Sequence, residues 1–278
     1  MHVLRYTAFS ADPAGGNPAG VVLDARGATA VEMQAVAADV GYSETAFLLP
    51  GDSDRIAIRY FSPLAEVTFC GHATIATGVA YADRNGTGEL RLATAAGPVD
   101  MSTQRDAEGA ITATLVSVPP RTADLGDDDR AALLTSLRWR PTDLDDALPP
   151  RVAFAGAWHP VVAAASREHL ASLDYDMAAL GDLMADRDWT TVNLVWRETP
   201  TVFHARNPFP PGGVREDPAT GAAAAALGGY LRELGLVDLP ATVTVHQGHD
   251  MGRPGRLTVG IPDTPGTGIS VTGHAVPI

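Results

Sequence analysis

The sequence predicts an α+β fold in two similar halves, each a curved, mostly antiparallel sheet wrapped around one central helix. Three observations carry that expectation. Short strand-like runs recur along the chain while helices are few and not interleaved with them one for one, which argues against a doubly wound α/β sheet. Two helical segments, 71–86 and 220–235, are built of small residues with hardly a charge in their first three turns, so each is buried on every side. Their tyrosines, Tyr81 and Tyr230, and their terminal glycines, Gly86 and Gly235, stand at the same offset of 149 residues. Equivalent helices of two halves would do so; coincidence in an Ala-rich chain is the competing explanation.

Strands are expected at Val3 to Phe9, Ala19 to Leu23, Thr45 to Leu49, Arg55 to Ser62 and Ile111 to Val118. A second set follows at Val152 to Phe154, Pro160 to Ala165, Thr191 to Trp196, Thr242 to His246 and Arg256 to Ile261. Thr29-Ala30-Val31-Glu32 is a capping box that opens a helix to about Val40, and Asp127-Asp128-Asp129 places acid at the start of another, Arg130 to Arg138. The halves are placed at residues 1–118 with 266–278, and at 119–265. The Pro- and Asp-rich stretch Arg121 to Pro150 reads as their connection.

Composition excludes several function classes. All 20 basic residues are Arg, so mechanisms built on a lysine amine, among them Schiff bases and the phosphate-binding P-loop, are absent. A formal net charge of -13 opposes a phosphate-tracking surface, and nucleic acid is not an expected partner. No apolar run approaches the roughly 18 residues of a membrane helix, so no membrane association is expected either. The one cysteine, Cys70, permits neither an intramolecular disulfide nor a multi-cysteine zinc site. Met1 to Phe9 alternate like a strand, without a basic segment leading into an apolar one, and a cytoplasmic location is expected.

Four segments could carry chemistry. Glu44, in Gly41-Tyr42-Ser43-Glu44-Thr45, stands between a helix end and an apolar strand, where a carboxylate is partly desolvated and suited to general acid–base work; a solvated loop glutamate is the other reading. Cys70-Gly71-His72 opens the first buried helix. There an imidazole meets the positive end of the helix dipole, and exposed N–H groups suit an anion; a satisfied structural histidine and an inert buried cysteine are the alternatives. Asp217-Pro218 opens the second buried helix and reads as an N-cap and N1 pair. If the halves are related by pseudo-symmetry, His72 and Asp217 meet across one cleft over a shared anion site. The fourth segment, His246 to Arg256, is a shaped loop in which Arg253 is more readily structural than substrate-binding. His249 and Asp250 near His246 lack metal-ligand spacing, and no metal is expected.

Gly16-Asn17-Pro18-Ala19-Gly20-Val21, Ser43-Glu44-Thr45, Cys70-Gly71-His72-Ala73-Thr74, Glu216-Asp217-Pro218-Ala219-Thr220-Gly221, and Gln247-Gly248 with Gly252-Arg253-Pro254 follow one another in a telling order and spacing. Together they resemble the phenazine-biosynthesis PhzF-like isomerase family almost end to end. The resemblance implies the diaminopimelate-epimerase-like fold, usually as a homodimer. It also implies Glu44 as the proton-transferring general acid/base, with Ser43 beside it, and His72 and Asp217 as the substrate-positioning pair. That fold is shared with cofactor-independent racemases that use two thiols on opposite faces of the substrate carbon. Cys70 resembles the first thiol, and Thr220 stands where the second would be. With a single cysteine the two-thiol mechanism cannot operate, and glutamate-mediated isomerisation is expected instead. Ala222 and Gly255 depart from the family, which often carries hydroxyl residues there. The loss at 222 points to a substrate other than the dihydro-hydroxyanthranilate for which the family is best known.

The expected function is a cofactor-independent isomerase of secondary-metabolite type. It shifts a proton and a double bond in a small, unsaturated, amino-acid-derived carboxylic acid, with Glu44 catalytic. Ser43, Cys70, Gly71, His72, Asp217, Thr220, Gly221 and Ala222 line the substrate, whose carboxylate is held at the helix N-termini beginning at Gly71 and Gly221. The alternatives are a racemase or epimerase using Cys70 with a carboxylate, and a catalytically silent protein that binds a small acid.

Overall fold

The computed structural model describes residues 1–51 and 54–278, and they divide into two compact units, Met1–Val116 with Thr272–Ile278, and Ser117–Val271. In the first unit the strands are β1 (Leu4–Ala8), β2 (Asn17–Val22), β3 (Glu44–Leu49), β4 (Ile56–Phe61), β5 (Glu66–Val67), β6 (Glu89–Thr94), β7 (Gly97–Arg105) and β8 (Ile111–Val116). The helices are α1 (Ala30–Val40) and α2 (Gly71–Asn85).

Strand pairing in this unit runs β1–β2–β3–β4–β6–β7–β8, with β2–β3 and β4–β6 parallel and the other pairs antiparallel. The chain's last strand, Ser270–Pro277, pairs with both β1 and β8 and so closes the ring. Helix α2 fills it, packed on β1, β2, β3, β7 and β8, with His72 to Ala80 buried without interruption. Small residues are required by this enclosure: a Cβ on Gly78 would stand 2.1 Å from Met101 Cε and 3.4 Å from Ala113 Cβ. Helix α1 covers the outside of the sheet, where Met33 and Ala37 pack with Val22, Phe47 and Phe61. Its capping box forms as expected: Glu32 N–H donates to Thr29 Oγ1 at 3.3 Å and Thr29 N–H to Glu32 Oε2 at 2.8 Å. At its other end Gly41, with φ 72°, takes the left-handed conformation that turns the chain back into β3.

The second unit holds β9 (Arg121–Asp124), β10 (Arg151–Phe154), β11 (Trp158–Ala163), β12 (Asn193–Thr199), β13 (Val202–Phe209), β14 (Val214–Asp217), β15 (Ala241–Gln247) and β16 (Gly255–Ile261). It also holds α3 (Asp127–Leu137), α4 (Arg167–Ala171), α5 (Met177–Arg187) and α6 (Gly221–Glu233). Its strands pair in the order β9–β10–β11–β12–β13–β15–β16, β11–β12 and β13–β15 being parallel, and β14 folds back on β13. Helix α6 packs on β9, β10, β11 and β16, and Ala223 to Leu231 are all buried. Its glycines again mark close approach: a Cβ on Gly228 would stand 2.9 Å from Val259, and one on Gly229 2.4 Å from Pro120. Each unit is thus a curved sheet around a helix of small residues.

The segment 121–150, expected as a connection, is instead built into the second unit. Arg121–Asp124 pairs with β10, and Leu133, Leu137 and Trp139 join Leu180, Met184, Trp189 and Leu194 in a core on the unit's flank. Its Pro and Asp residues serve helix starts: the three aspartates occupy the first turn of α3, and Pro141 opens a short 3-10 turn. Among the described residues no helix is long and apolar enough to cross a membrane.

A buried histidine gives the second unit a pH-dependent stability. His159 is fully buried; its Nδ1 lies 2.9 Å from Thr191 Oγ1, and its Nε2 has no hydrogen-bond partner among the described residues. Burial pushes its pKa from 6.5 down to about 4. The unfolded chain therefore takes up a proton that the folded chain refuses, so the contribution is full above pH 6.5, declines as pH falls, and levels off near pH 4. Urea unfolding should show about 2 kcal/mol lost between pH 7 and pH 5 from this residue alone. A His159→Asn variant should lack that part of the slope, and identical slopes would refute the assignment.

Candidate active site

Glu44 is the first residue of β3, directly after the turn that Gly41 permits. Its backbone is fixed by parallel pairing with β2, where it stands opposite Ala19. The close fit of the two strands explains the glycine beside it: a Cβ on Gly20 would stand 2.5 Å from Thr45 Oγ1. Thr45 points into this contact and is fully buried, whereas Glu44, next along the strand, is only partly covered.

The other residues of this group come from the mouth of α2. Cys70 is the N-cap, in extended conformation and without a side-chain cap. The leading N–H groups of the helix therefore lack both intrahelical partners and a capping oxygen from Cys70. The mouth is anchored from below: Thr74 Oγ1–H donates to the Cys70 carbonyl at 2.6 Å, and the Tyr60 hydroxyl lies 2.7 Å from Thr74 Oγ1. Burial raises the Tyr60 pKa, so this phenol stays protonated and structural.

His72 sits at the centre. Its Nε2 lies 3.5 Å from Glu44 Oε2 and 3.4 Å from Ser43 Oγ, and its Nδ1 lies 3.4 Å from Cys70 Sγ. The His72 side chain is 7% exposed and that of Glu44 17%, so the carboxylate is the less buried of the two. Glu44, Cys70 and His72 present three ligand-type atoms within 4.8 Å of one another. Chemically this is a carboxylate able to take up and return a proton, an imidazole able to pass or hold one, and leading helix N–H groups outside the intrahelical ladder that suit an anion. Ser43, Glu44, Cys70, Gly71 and His72 are therefore brought together.

Asp217, Thr220, Gly221 and Ala222 form a second group, at the mouth of α6. Asp217 is not the N-cap that its neighbour Pro218 suggested. It ends β14 in register with Asn207, and the N-cap is Thr220, three residues on. The buried Asp217 carboxylate accepts from the Thr220 hydroxyl at 2.6 Å, which ties the strand end to the helix start. Gly221 and Ala222 form the first, partly exposed turn.

Gln247 organises this mouth, a role that sequence reading missed. Fully buried at the end of β15, its amide donates to the Asp217 carbonyl at 2.7 Å and to Thr220 Oγ1 at 2.9 Å, and its oxygen accepts from Thr220 N–H at 3.0 Å. The Thr220 hydroxyl thus receives one hydrogen bond from Gln247 and passes another to Asp217. Gly248 has to be glycine: its φ is 80°, and a Cβ would meet the Arg253 carbonyl at 2.3 Å and that of Pro218 at 2.7 Å. The only sequence signal for either residue was their place in the resemblance motif.

The chain is similar to known proteins over nearly its whole length. The family model for phenazine biosynthesis-like protein, PhzC-PhzF, matches residues 6–278. The chain is 31% identical over 284 residues to the uncharacterized isomerase YfhB of Bacillus subtilis, covering 99% of this chain and 95% of that one. It is 31% identical over 250 residues to the trans-2,3-dihydro-3-hydroxyanthranilate isomerase of Pseudomonas fluorescens, covering 89% and 85%. The crystal structure of the Bacillus anthracis phenazine biosynthesis protein of the PhzF family superposes with a TM-score of 0.89 at 28% identity, covering 99% of this chain and 96% of that one. A probable proline racemase from Agrobacterium radiobacter shares the fold, with a TM-score of 0.67 at 14% identity over 99% and 90% of the two chains. On the family match, the relatives and the fold, the chain belongs to the phenazine biosynthesis-like PhzC-PhzF family and is an isomerase.

Proposed function

We propose that the chain moves a C–H proton between carbons of a small, unsaturated carboxylic acid derived from an amino acid, with Glu44 as the general acid and base. The observation that carries this reading is the partly exposed Glu44 carboxylate 3.5 Å from a buried imidazole. Glu44 takes the proton from an allylic or α carbon and returns it to a conjugated position on the same face. His72 polarises the substrate's amine or enol and steadies the carboxylate of Glu44. Asp217, held in place by Thr220 and Gln247, is a substrate-positioning residue, and the N–H groups at Gly71 and Gly221 serve the substrate carboxylate. A relative's name supplies the first compound to try, trans-2,3-dihydro-3-hydroxyanthranilate. Ala222 offers no hydroxyl to a substrate group, which favours a less hydroxylated or smaller acid. The test is a panel of that compound with cyclic and acyclic dienoic and enamine amino acids, followed by ultraviolet absorbance for movement of conjugation. If no member of the panel is isomerised and one is racemised, the reading fails.

A specific observation favours a second reading, a racemase, because the thiol of Cys70 lies 3.4 Å from His72 Nδ1 and could act as one of two unequal bases. The two readings separate on Cys70→Ala. Under the isomerase reading this variant keeps turnover within about tenfold, roughly 1.4 kcal/mol of barrier. A far larger loss, with stoichiometric inactivation of the wild type by a thiol alkylating reagent, would favour the racemase.

A further inference from the structure

Three histidines of the second unit form a cluster that the isomerase chemistry does not use. His204 on β13 and His246 on β15 face each other across the parallel strand pair, and His249 stands on the short 3-10 turn after β15. Ring centroids are 5.2 Å apart for His204 and His246, 5.4 Å for His246 and His249, and 6.2 Å for His204 and His249. Three imidazoles on one tetrahedral metal at about 2.0–2.1 Å have centroids about 5 Å apart, so two spacings fit and the third is wide by about 1 Å. The wide pair contains His249, which is exposed and whose ring hydrogen-bonds the Gly255 backbone through one nitrogen, leaving the other for a metal.

Orientation supports the same reading. Glu198 Oε2 accepts from His204 Nε2 at 2.7 Å. A carboxylate cannot donate, so Nε2 carries a proton, and in the neutral ring the lone pair is on Nδ1, which is buried and has no hydrogen-bond partner among the described residues. A carboxylate behind the protonated nitrogen is the usual support of a metal-bound imidazole. Of the nearby cations, Arg167 is neutralised by Asp250 at 2.8 Å, while Arg256 lies opposite His246 on β16.

We propose that His204, His246 and His249 bind one first-row transition-metal ion of the zinc class, Zn²⁺, Ni²⁺ or Cu²⁺, with Glu198 orienting His204. Two of the ligands bracket Gln247 and Gly248. The metal therefore clamps the segment whose glutamine fixes Asp217 and Thr220. Sequence spacing hides the site because the third ligand comes from a different strand.

The test is calorimetric titration of the full chain with Zn²⁺ in a Cys70→Ala background, which removes the thiol from the other cluster of ligand-type atoms. One equivalent should bind and raise the thermal midpoint. Adding His249→Ala, a change at an exposed position, should weaken binding by more than about tenfold, and adding Glu198→Gln by about tenfold. The proposal is overturned if the Cys70→Ala protein takes up no Zn²⁺ at about 100 μM, roughly -5.5 kcal/mol of binding. It is equally overturned if the added His249→Ala change leaves affinity within tenfold while circular dichroism shows both proteins folded.

Discussion

Glu44→Gln is expected to lower turnover by about 10² to 10⁴, or roughly 3 to 5.5 kcal/mol of barrier, while the Michaelis constant stays within a few-fold. The carboxamide keeps the volume of the side chain and its reach to His72, whose Nε2 lies 3.5 Å from the carboxylate. What it loses is the ability to accept a proton from carbon and give it back. Fold stability should change little, because the substitution keeps the shape of a side chain that is only partly buried. Steady-state kinetics and thermal unfolding of the same preparation check both halves of the expectation. A variant that retains most of the wild-type rate would move the base to His72 or Asp217.

Gln247→Leu is expected to be nearly as damaging, through structure rather than chemistry. Leucine fills a similar volume but leaves the Thr220 N–H and the Asp217 carbonyl without the partners they now have at 3.0 and 2.7 Å. Each buried group so abandoned costs about 1 to 3 kcal/mol, so stability should fall by roughly 2 to 5 kcal/mol. Asp217 and the first turn of α6 lose their common anchor, and turnover should fall by about 10- to 100-fold, the scale seen when a supporting hydrogen bond around a site is removed. Urea unfolding measures the first effect and kinetics on the folded variant the second. An unaltered midpoint would mean that the three hydrogen bonds do not hold the turn.

The features legible in the sequence were those fixed by local chemistry. The capping box at Thr29 and Glu32, the uncharged small-residue helices and the acidic start of α3 each depend on residues within a few positions of one another. Strands β7 and β13 were not read, because Gly97, Pro98 and Asp100 in one and Arg206, Asn207 and Pro208 in the other look like loop residues. In the fold the β13 set is buried and paired: Arg206 Nε donates to Glu216 at 2.8 Å, and Arg206 Nη1 to the Ala171 carbonyl at 2.7 Å. Tertiary partners outweighed local propensity there.

The site divides the same way. Ser43, Glu44, Cys70 and His72 stood out in the sequence because each lies at a helix or strand end that local rules mark. Asp217 was found, but its role as N-cap was misread: the Asp-Pro pair obeys the N-terminal rule locally while Thr220 takes the cap position. Gln247 was invisible as a functional residue because its partners, Asp217 and Thr220, are on other elements. The histidine cluster was hidden for the same reason: His204 and His246 meet only through the pairing of β13 with β15.

Proton NMR of the reaction in deuterium oxide, with wild type and Glu44→Gln in parallel, tests the central claim most directly. On the panel compound that shows an ultraviolet change, wild type should give a product whose double bond has moved. Any deuterium should lie at the accepting carbon, in less than full amount if Glu44 returns the proton it took. Glu44→Gln should bind the compound and leave both its double bonds and its C–H signals unchanged. Inversion or deuterium exchange at a single carbon with no movement of the double bond, or the same product formed by Glu44→Gln at the wild-type rate, would contradict the account.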